Sequence, residues 1–280
     1  MPSYVLWGGT VWSRSIEERL EAANAGGFGE LSLFPTDVRE AVDAGTSVAD
    51  IRALAAEYGV EITILDPYTK WVPEWTPPNP DDVPPLYDVD ETEYLSLCDD
   101  LGVESLTALE RWGREFDPEV AATHFGQFCD RAADHDLRVH LEFIPSTGIP
   151  DLETAWDIVR RADRDNGGIV FDTRHYFRGT PDDDLLRAIP GEKIFRVQVC
   201  DAPETVQGTL RGDSRQRLFP GDGDLDLVGV LGILDDIGGL SSVGIEVISD
   251  EFDDRPATEL GEKAGESLRD LLTEAGIETV

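Results

Sequence analysis

The chain has 280 residues, enough to bury one full core, and 40% of them are hydrophobic and evenly spread. No apolar run approaches the ~18 to 20 residues that a membrane helix needs, and the start, Met1-Pro2-Ser3-Tyr4, lacks the basic and apolar regions of a secretory signal. The expectation is a cytoplasmic protein away from membranes. Asp and Glu number 58 against 23 Lys and Arg, for a formal net charge of −35, which leaves no basic face for nucleic acid. Lysine occurs only at Lys70, Lys193 and Lys263, and the acid is distributed over a chain with a normal core. Such a surface suits concentrated salt, where self-repulsion is screened, and reads as a halophilic cytosol. Cys98, Cys129 and Cys200 are an odd set without CxxC spacing, so neither a disulfide framework nor a structural zinc site is expected.

Short apolar or β-branched runs alternate with helical patterns from end to end, the signature of repeated βα units. Strands are predicted at residues 4–7, 30–34, 61–65, 105–109, 138–143, 168–172, 194–200 and 243–248, and helices follow, as at 15–25, 48–58, 119–135, 152–161 and 225–237. Eight units favour a single closed (β/α)8 TIM barrel over residues 1–280, close to the roughly 250 residues usual for that architecture. No GxGxxG or P-loop follows any strand, so the nucleotide-binding alternative lacks its motif. The main interruption, at about residues 66–89, is rich in proline and tryptophan and follows the third strand. It is read as a lid over the catalytic end of the barrel, presenting Tyr68, Trp71 or Trp75 to a ligand. A second insert, residues 202–220, carries Arg211, Arg215 and Arg217 after the seventh strand.

Glu142, Asp172, Gln198 and Glu246 lie near the C-terminal ends of the last four strands, where barrel enzymes carry their active sites. Side chains alternate along a strand, and parity points all four into the barrel mouth. Three carboxylates converging in a low-dielectric cavity repel one another unless a cation sits among them. These four are therefore the expected ligands of a divalent metal. Oxygen ligation suits Mn or Mg best, with Co or Zn as alternatives. His175, three residues past Asp172, is placed to hydrogen-bond a substrate carbonyl or hydroxyl. His140 and Arg196 fall one layer deeper and are read as groups that orient Glu142, with Asp201 as a further nearby acid.

From Leu137 to Ser249 the sequence resembles the xylose isomerase-like TIM barrels, the superfamily of sugar phosphate isomerases, epimerases and AP endonuclease 2. The stretches that carry the resemblance are Leu141-Glu142-Phe143, residues 164–175 ending Asp172-Thr173-Arg174-His175, Lys193-Ile194-Phe195, and residues 217–227 beginning Arg217-Leu218-Phe219-Pro220-Gly221-Asp222-Gly223. The last is characteristic of the inosose isomerase-like branch. The resemblance implies that Glu142, Asp172 and Glu246 bind metal, that His175 is the histidine of the DxxH substrate motif, and that Arg217 contacts a substrate oxygen. It further implies that Glu142 and Glu246 act as a proton-transfer pair on a small sugar, polyol or cyclitol ketone, through an enediolate. Gln198 departs from the family, which usually has histidine there. The expected activity is thus isomerisation or epimerisation. Metal-dependent dehydration on the same site is the runner-up, and a non-catalytic sugar-binding barrel the reading from another class. The sequence offers no oligomer interface, although large barrel faces often pair into homo-oligomers.

Overall fold

The computed structural model describes residues 1–72, 83–113, 117–206, 208–252 and 254–279. Eight parallel strands follow one another around a closed barrel: β1 (Ser3–Leu6), β2 (Glu30–Leu33), β3 (Glu61–Tyr68), β4 (Ser105–Leu109), β5 (Arg138–Glu142), β6 (Gly167–Asp172), β7 (Ile194–Val199) and β8 (Ser242–Ile245). Closure is made where β1 pairs with β8, Val5 opposite Gly244. Eleven α-helices among the described residues connect the strands: α1 (Ile16–Gly26), α2 (Pro35–Asp43), α3 (Val48–Glu57), α4 (Glu91–Leu101), α5 (Pro118–Ala133), α6 (Leu152–Ala162), α7 (Thr173–Arg178), α8 (Asp183–Ala188), α9 (Leu210–Asp213), α10 (Leu227–Asp236) and α11 (Ala257–Glu274). None of the described helices is long and apolar enough to cross a membrane.

Local chemistry fixes where the helices start and stop. Ser15 and Glu18 form a reciprocal capping box at the head of α1, and Gly27, in the left-handed region at φ 77°, closes its end. The first and last helices then seal the barrel by close backbone approach. A Cβ on Gly265 of α11 would lie 1.9 Å from the carbonyl oxygen of Gly26 in α1, so only hydrogen fits there.

Strand alternation divides the side chains between two cores. Leu106, Leu141, Phe171 and Val197 pack outward under the helices, while Val5, Trp7, Ile64 and Val170 form a small apolar plug inside the barrel. Beneath the plug, Arg196 reaches Glu30 at 2.7 Å and Ser242 at 2.8 Å, and His140 Nε2 lies 3.3 Å from Ser105 Oγ. His140 and Arg196 therefore belong to the floor of the barrel. The orienting role on Glu142 that the sequence reading expected finds no contact among the described residues, because both side chains bond to Glu30, Ser105 and Ser242 instead.

The predicted lid also needs correction. β3 runs to Tyr68, three residues past its expected end, and its register against β4 shifts between Leu65 and Tyr68. The shift breaks the alternation that keeps Ile64 inside and sends Tyr68 outward, onto Tyr94 of α4 and Phe128 of α5. Trp71 is likewise buried, edge-on to Phe125, with its indole N–H donating to the Leu109 carbonyl at 3.2 Å. Neither ring faces the mouth. Trp75 lies outside the described residues.

Candidate active site

At the C-terminal end of the barrel the last four strands bring Glu142, Asp172, Gln198 and Glu246 to one level. Asp172 is opposite Gln198 in register, Gln198 is opposite Gly244, and Glu246 follows one residue beyond β8. All four are buried. Asp172 has two tasks: Oδ1 accepts the backbone N–H of His175 at 2.8 Å, capping the short helix α7, while Oδ2 accepts from Arg217. The DxxH spacing thus places the imidazole beside the carboxylate, one helical turn on. His175 Nε2 lies 3.4 Å from Glu142 Oε1 and 3.7 Å from Asp172 Oδ2. Glu142, Asp172 and His175 each offer a ligand atom within 4.8 Å of the others.

Arg217 enters this cluster from the loop after β7. It is clamped between two antiparallel bridges, Asp201 with Leu218 and Gln216 with Ser249. Its Nη1 donates to Asp172 Oδ2 at 2.7 Å and Glu246 Oε2 at 2.9 Å, and Nη2 lies 3.4 Å from His175 Nε2. Asp201, considered above as an extra acid for the site, is instead consumed by this loop. Its carboxylate accepts backbone N–H groups from Ala202, Gly221, Gly223 and Leu225 at 2.8 to 3.1 Å, which locks the Pro220-Gly221-Asp222-Gly223 segment.

The charges do not balance. Burial, together with Asp66, Glu246 and Asp172, raises Glu142 well above the usual carboxylate range. Burial likewise pushes Glu246 up to about 8, against the pull of Arg217. Burial would raise Asp172 too, but Arg217 and His175 hold it low. Burial drives His175 down to about 3, so its ring is neutral at pH 7. Counted as ionised, three acids face one guanidinium; protons held on Glu142 and Glu246 restore the balance in the free site, and a divalent cation that displaced them would be the natural complement. A second observation fits such an ion: Gln198 Oε1 is buried without a hydrogen-bond partner among the described residues, a costly state for an amide oxygen unless a cation takes its lone pair.

Two residues that the sequence reading passed over also line the cavity. Asp66, read as the start of a loop, is buried within β3, and burial raises it to about 6. Tyr87, at the far end of the predicted lid, supplies an aromatic wall with Trp12 and Phe34. Arg174 was not given a role; it anchors on Asp213 at 2.7 Å and places Nη1 3.3 Å from His175 Nδ1. The cavity holds ≈ 300 Å³, room for a six-membered ring with substituents.

With this geometry in view, a family model described as the xylose isomerase-like TIM barrel matches residues 20–272. The chain belongs to that family. It is 30% identical over 267 residues to a 3-dehydroshikimate dehydratase of Pseudomonas aeruginosa, a match covering 93% of this chain and 40% of that protein. It is 31% identical over 150 residues to an inosose isomerase of Bacillus licheniformis, covering 52% of this chain and 53% of that one. The solved structure of the IOLI protein with a binding zinc atom superposes with a TM-score of 0.79 at 20% identity, over 98% of this chain and 99% of that chain. The chain therefore spans about two-fifths of the length of the dehydratases it matches. The inosose isomerase resemblance seen in residues 217–227 is joined by a dehydratase likeness that runs through nearly the whole barrel.

Proposed function

We propose that this barrel is a divalent-metal-dependent lyase that removes water from a cyclic hydroxy-ketone of the 3-dehydroshikimate kind. The observation that carries the reading is the arc of Glu142, Asp172, Gln198 and Glu246 on four successive βα units, with the Gln198 oxygen unpartnered. These four would hold the ion, and their all-oxygen donor set fits Mn or Mg, with Zn or Co as alternatives given the zinc described in the IOLI structure. Once bound, the metal would polarise the substrate carbonyl and so acidify the adjacent C–H.

The remaining chemistry falls to side chains. One glutamate of the Glu142 and Glu246 pair takes the proton from the carbon beside the carbonyl. The C–H electrons form a C=C bond as the neighbouring C–O bond breaks, and the protonated partner glutamate supplies the proton with which the hydroxyl leaves as water. Neutral His175 donates a hydrogen bond to a substrate oxygen, and Arg217 steadies negative charge as it develops. The likeness to a dehydratase over 93% of this chain supports loss of water over simple proton return.

A second reading, isomerisation or epimerisation of a sugar or cyclitol ketone, uses the same proton abstraction and is favoured by the inosose isomerase match. The two are separated by incubating the Mn-loaded protein with 3-dehydroshikimate and with inososes in D₂O, following ultraviolet absorbance and proton NMR. Metal-dependent growth of a conjugated product supports the lyase. Deuterium entry with isomer formation and no loss of water moves the second reading to the front. Neither change with Mn, Mg, Co or Zn would defeat the enzyme reading.

A further inference from the structure

Cations are scarce in this chain, 23 Lys and Arg against 58 acids, yet five arginines line the active-site cavity. Three of them are committed. Arg174 is held by Asp213 at 2.7 Å, Arg215 by Asp250 at 2.6 Å, and Arg217 by Asp172 and Glu246. Arg111 and Arg211 face no carboxylate among the described residues. They reach the cavity from loops three strands apart in the eight-strand barrel, Arg111 after β4 and Arg211 on α9 after β7.

Both positions are built rather than incidental. The buried Glu110 carboxylate accepts the backbone N–H groups of Trp112 at 2.6 Å and Gly113 at 3.0 Å, and also that of Gly148, which pins the turn around Arg111. The Arg111 guanidinium then rests 5.1 Å from the ring centre of Tyr87. On the other side, Arg174 ties down both Leu210, through its carbonyl at 2.9 Å, and Asp213, so that Arg211 projects from an anchored turn. A chain of net charge −35 repels anions at long range, so only local guanidinium groups can hold one at its mouth.

We infer that Arg111 and Arg211 bracket a carboxylate carried by the substrate, on the side of the ring away from the reacting carbonyl. Arginine's planar fork suits such a group. The choice of carboxylate over phosphate rests on the lyase reading proposed above; the guanidinium pair does not.

The test is calorimetric titration of the Mn-loaded protein with 3,4-dihydroxybenzoate, catechol and phenyl phosphate. The first two share a metal-chelating ring edge and differ only in the carboxylate. Wild type should bind 3,4-dihydroxybenzoate about ten-fold or more tightly than catechol, and the Arg111→Gln/Arg211→Gln double variant should lose that preference while catechol affinity holds. Retained catechol affinity reports a folded, metal-loaded cavity in the same sample. Should the double variant lose catechol as well, Arg211→Gln alone decides, because that side chain is exposed and must still erode the preference. Equal binding of the two ring ligands by wild type overturns the subsite, and tighter phenyl phosphate than 3,4-dihydroxybenzoate overturns its assignment to a carboxylate. Carboxylate preference without turnover of 3-dehydroshikimate would sink the lyase reading and leave the subsite standing.

Discussion

A single nitrogen of Arg217, Nη1, sits 2.7 Å from Asp172 and 2.9 Å from Glu246, bridging acids delivered by β6 and by the end of β8. A guanidinium in that position competes with a metal ion for the same two carboxylates. Arg217→Ala should therefore bind Mn at least as tightly as wild type in a chelator competition. Its KM should rise roughly 10- to 100-fold, because the charge that meets the substrate is gone. Weaker metal binding in this variant would mean that Arg217 organises the carboxylates instead of competing for them.

Gln198 gives a cleaner test of the metal. Gln198→Leu keeps the volume and removes the unpartnered oxygen, so metal affinity should fall by about ten-fold or more with little change in folding. Elemental analysis of protein purified without chelator reads the result. Gln198→His should keep an ion and shift preference toward Zn. Full metal content in Gln198→Leu would remove the amide from the ligand set.

The pH dependence of stability follows from the same acids. Glu246 is pushed up to about 8 in the folded chain against an ordinary 4.5, so its contribution is present at low pH and lost as pH rises through 8. Glu142, raised further, acts in the same direction. His175, held at about 3 against 6.5, costs stability only as pH falls below 6.5. Between pH 6.5 and 8 the unfolded histidine sheds its remaining proton, so its opposing effect fades and the two raised glutamates set the slope. The melting temperature of chelator-treated protein should accordingly fall across that window, and saturating Mn should flatten the slope. A flat profile without metal would show that the glutamates are not protonated in the free site.

The contact between α1 and α11 carries its own prediction. Gly265→Leu forces a side chain against the Gly26 carbonyl, 1.9 Å from where Cβ must sit, and should cost about 2–3 kcal/mol in urea unfolding. The mouth lies at the strand ends, so kcat at low temperature should change little.

Much of this was readable from residue order. Eight apolar runs gave the strands to within a few residues, and parity alone put Glu142, Asp172, Gln198 and Glu246 on one face, because the register shift between β6 and β7 falls early, at Ile169 and Val170, and the pairing beyond it is regular up to Asp172 and Gln198. On β3 the reading ended the strand at Leu65 and gave Asp66 and Tyr68 to a loop, whereas the strand runs on with a register shift that turns Tyr68 away and leaves Asp66 in the cavity. A shift of that kind has no sequence signature beyond Pro67. The deeper position of His140 and Arg196 was legible, but their partners were not, because alternation tells which face a side chain takes and not that Glu30, Ser105 and Ser242 meet them there. Contacts such as Arg174 with Asp213, 39 residues apart, depend on how two loops fold over each other.

The arrangement of the site also bears on how new specificities could arise on this scaffold. The groups proposed for metal binding and proton transfer occupy one unbroken arc, β5 to β8, whereas Trp12, Phe34, Asp66, Tyr87 and Arg111 come from the first four βα units. The N-terminal half thus contributes cavity wall and none of the proposed metal or proton-transfer groups, while Arg211 and His175 add recognition from the other half. Exchanging the N-terminal half-barrel for that of a relative would be expected to change which ligands bind while leaving the Glu142, Asp172, Gln198 and Glu246 arc in place.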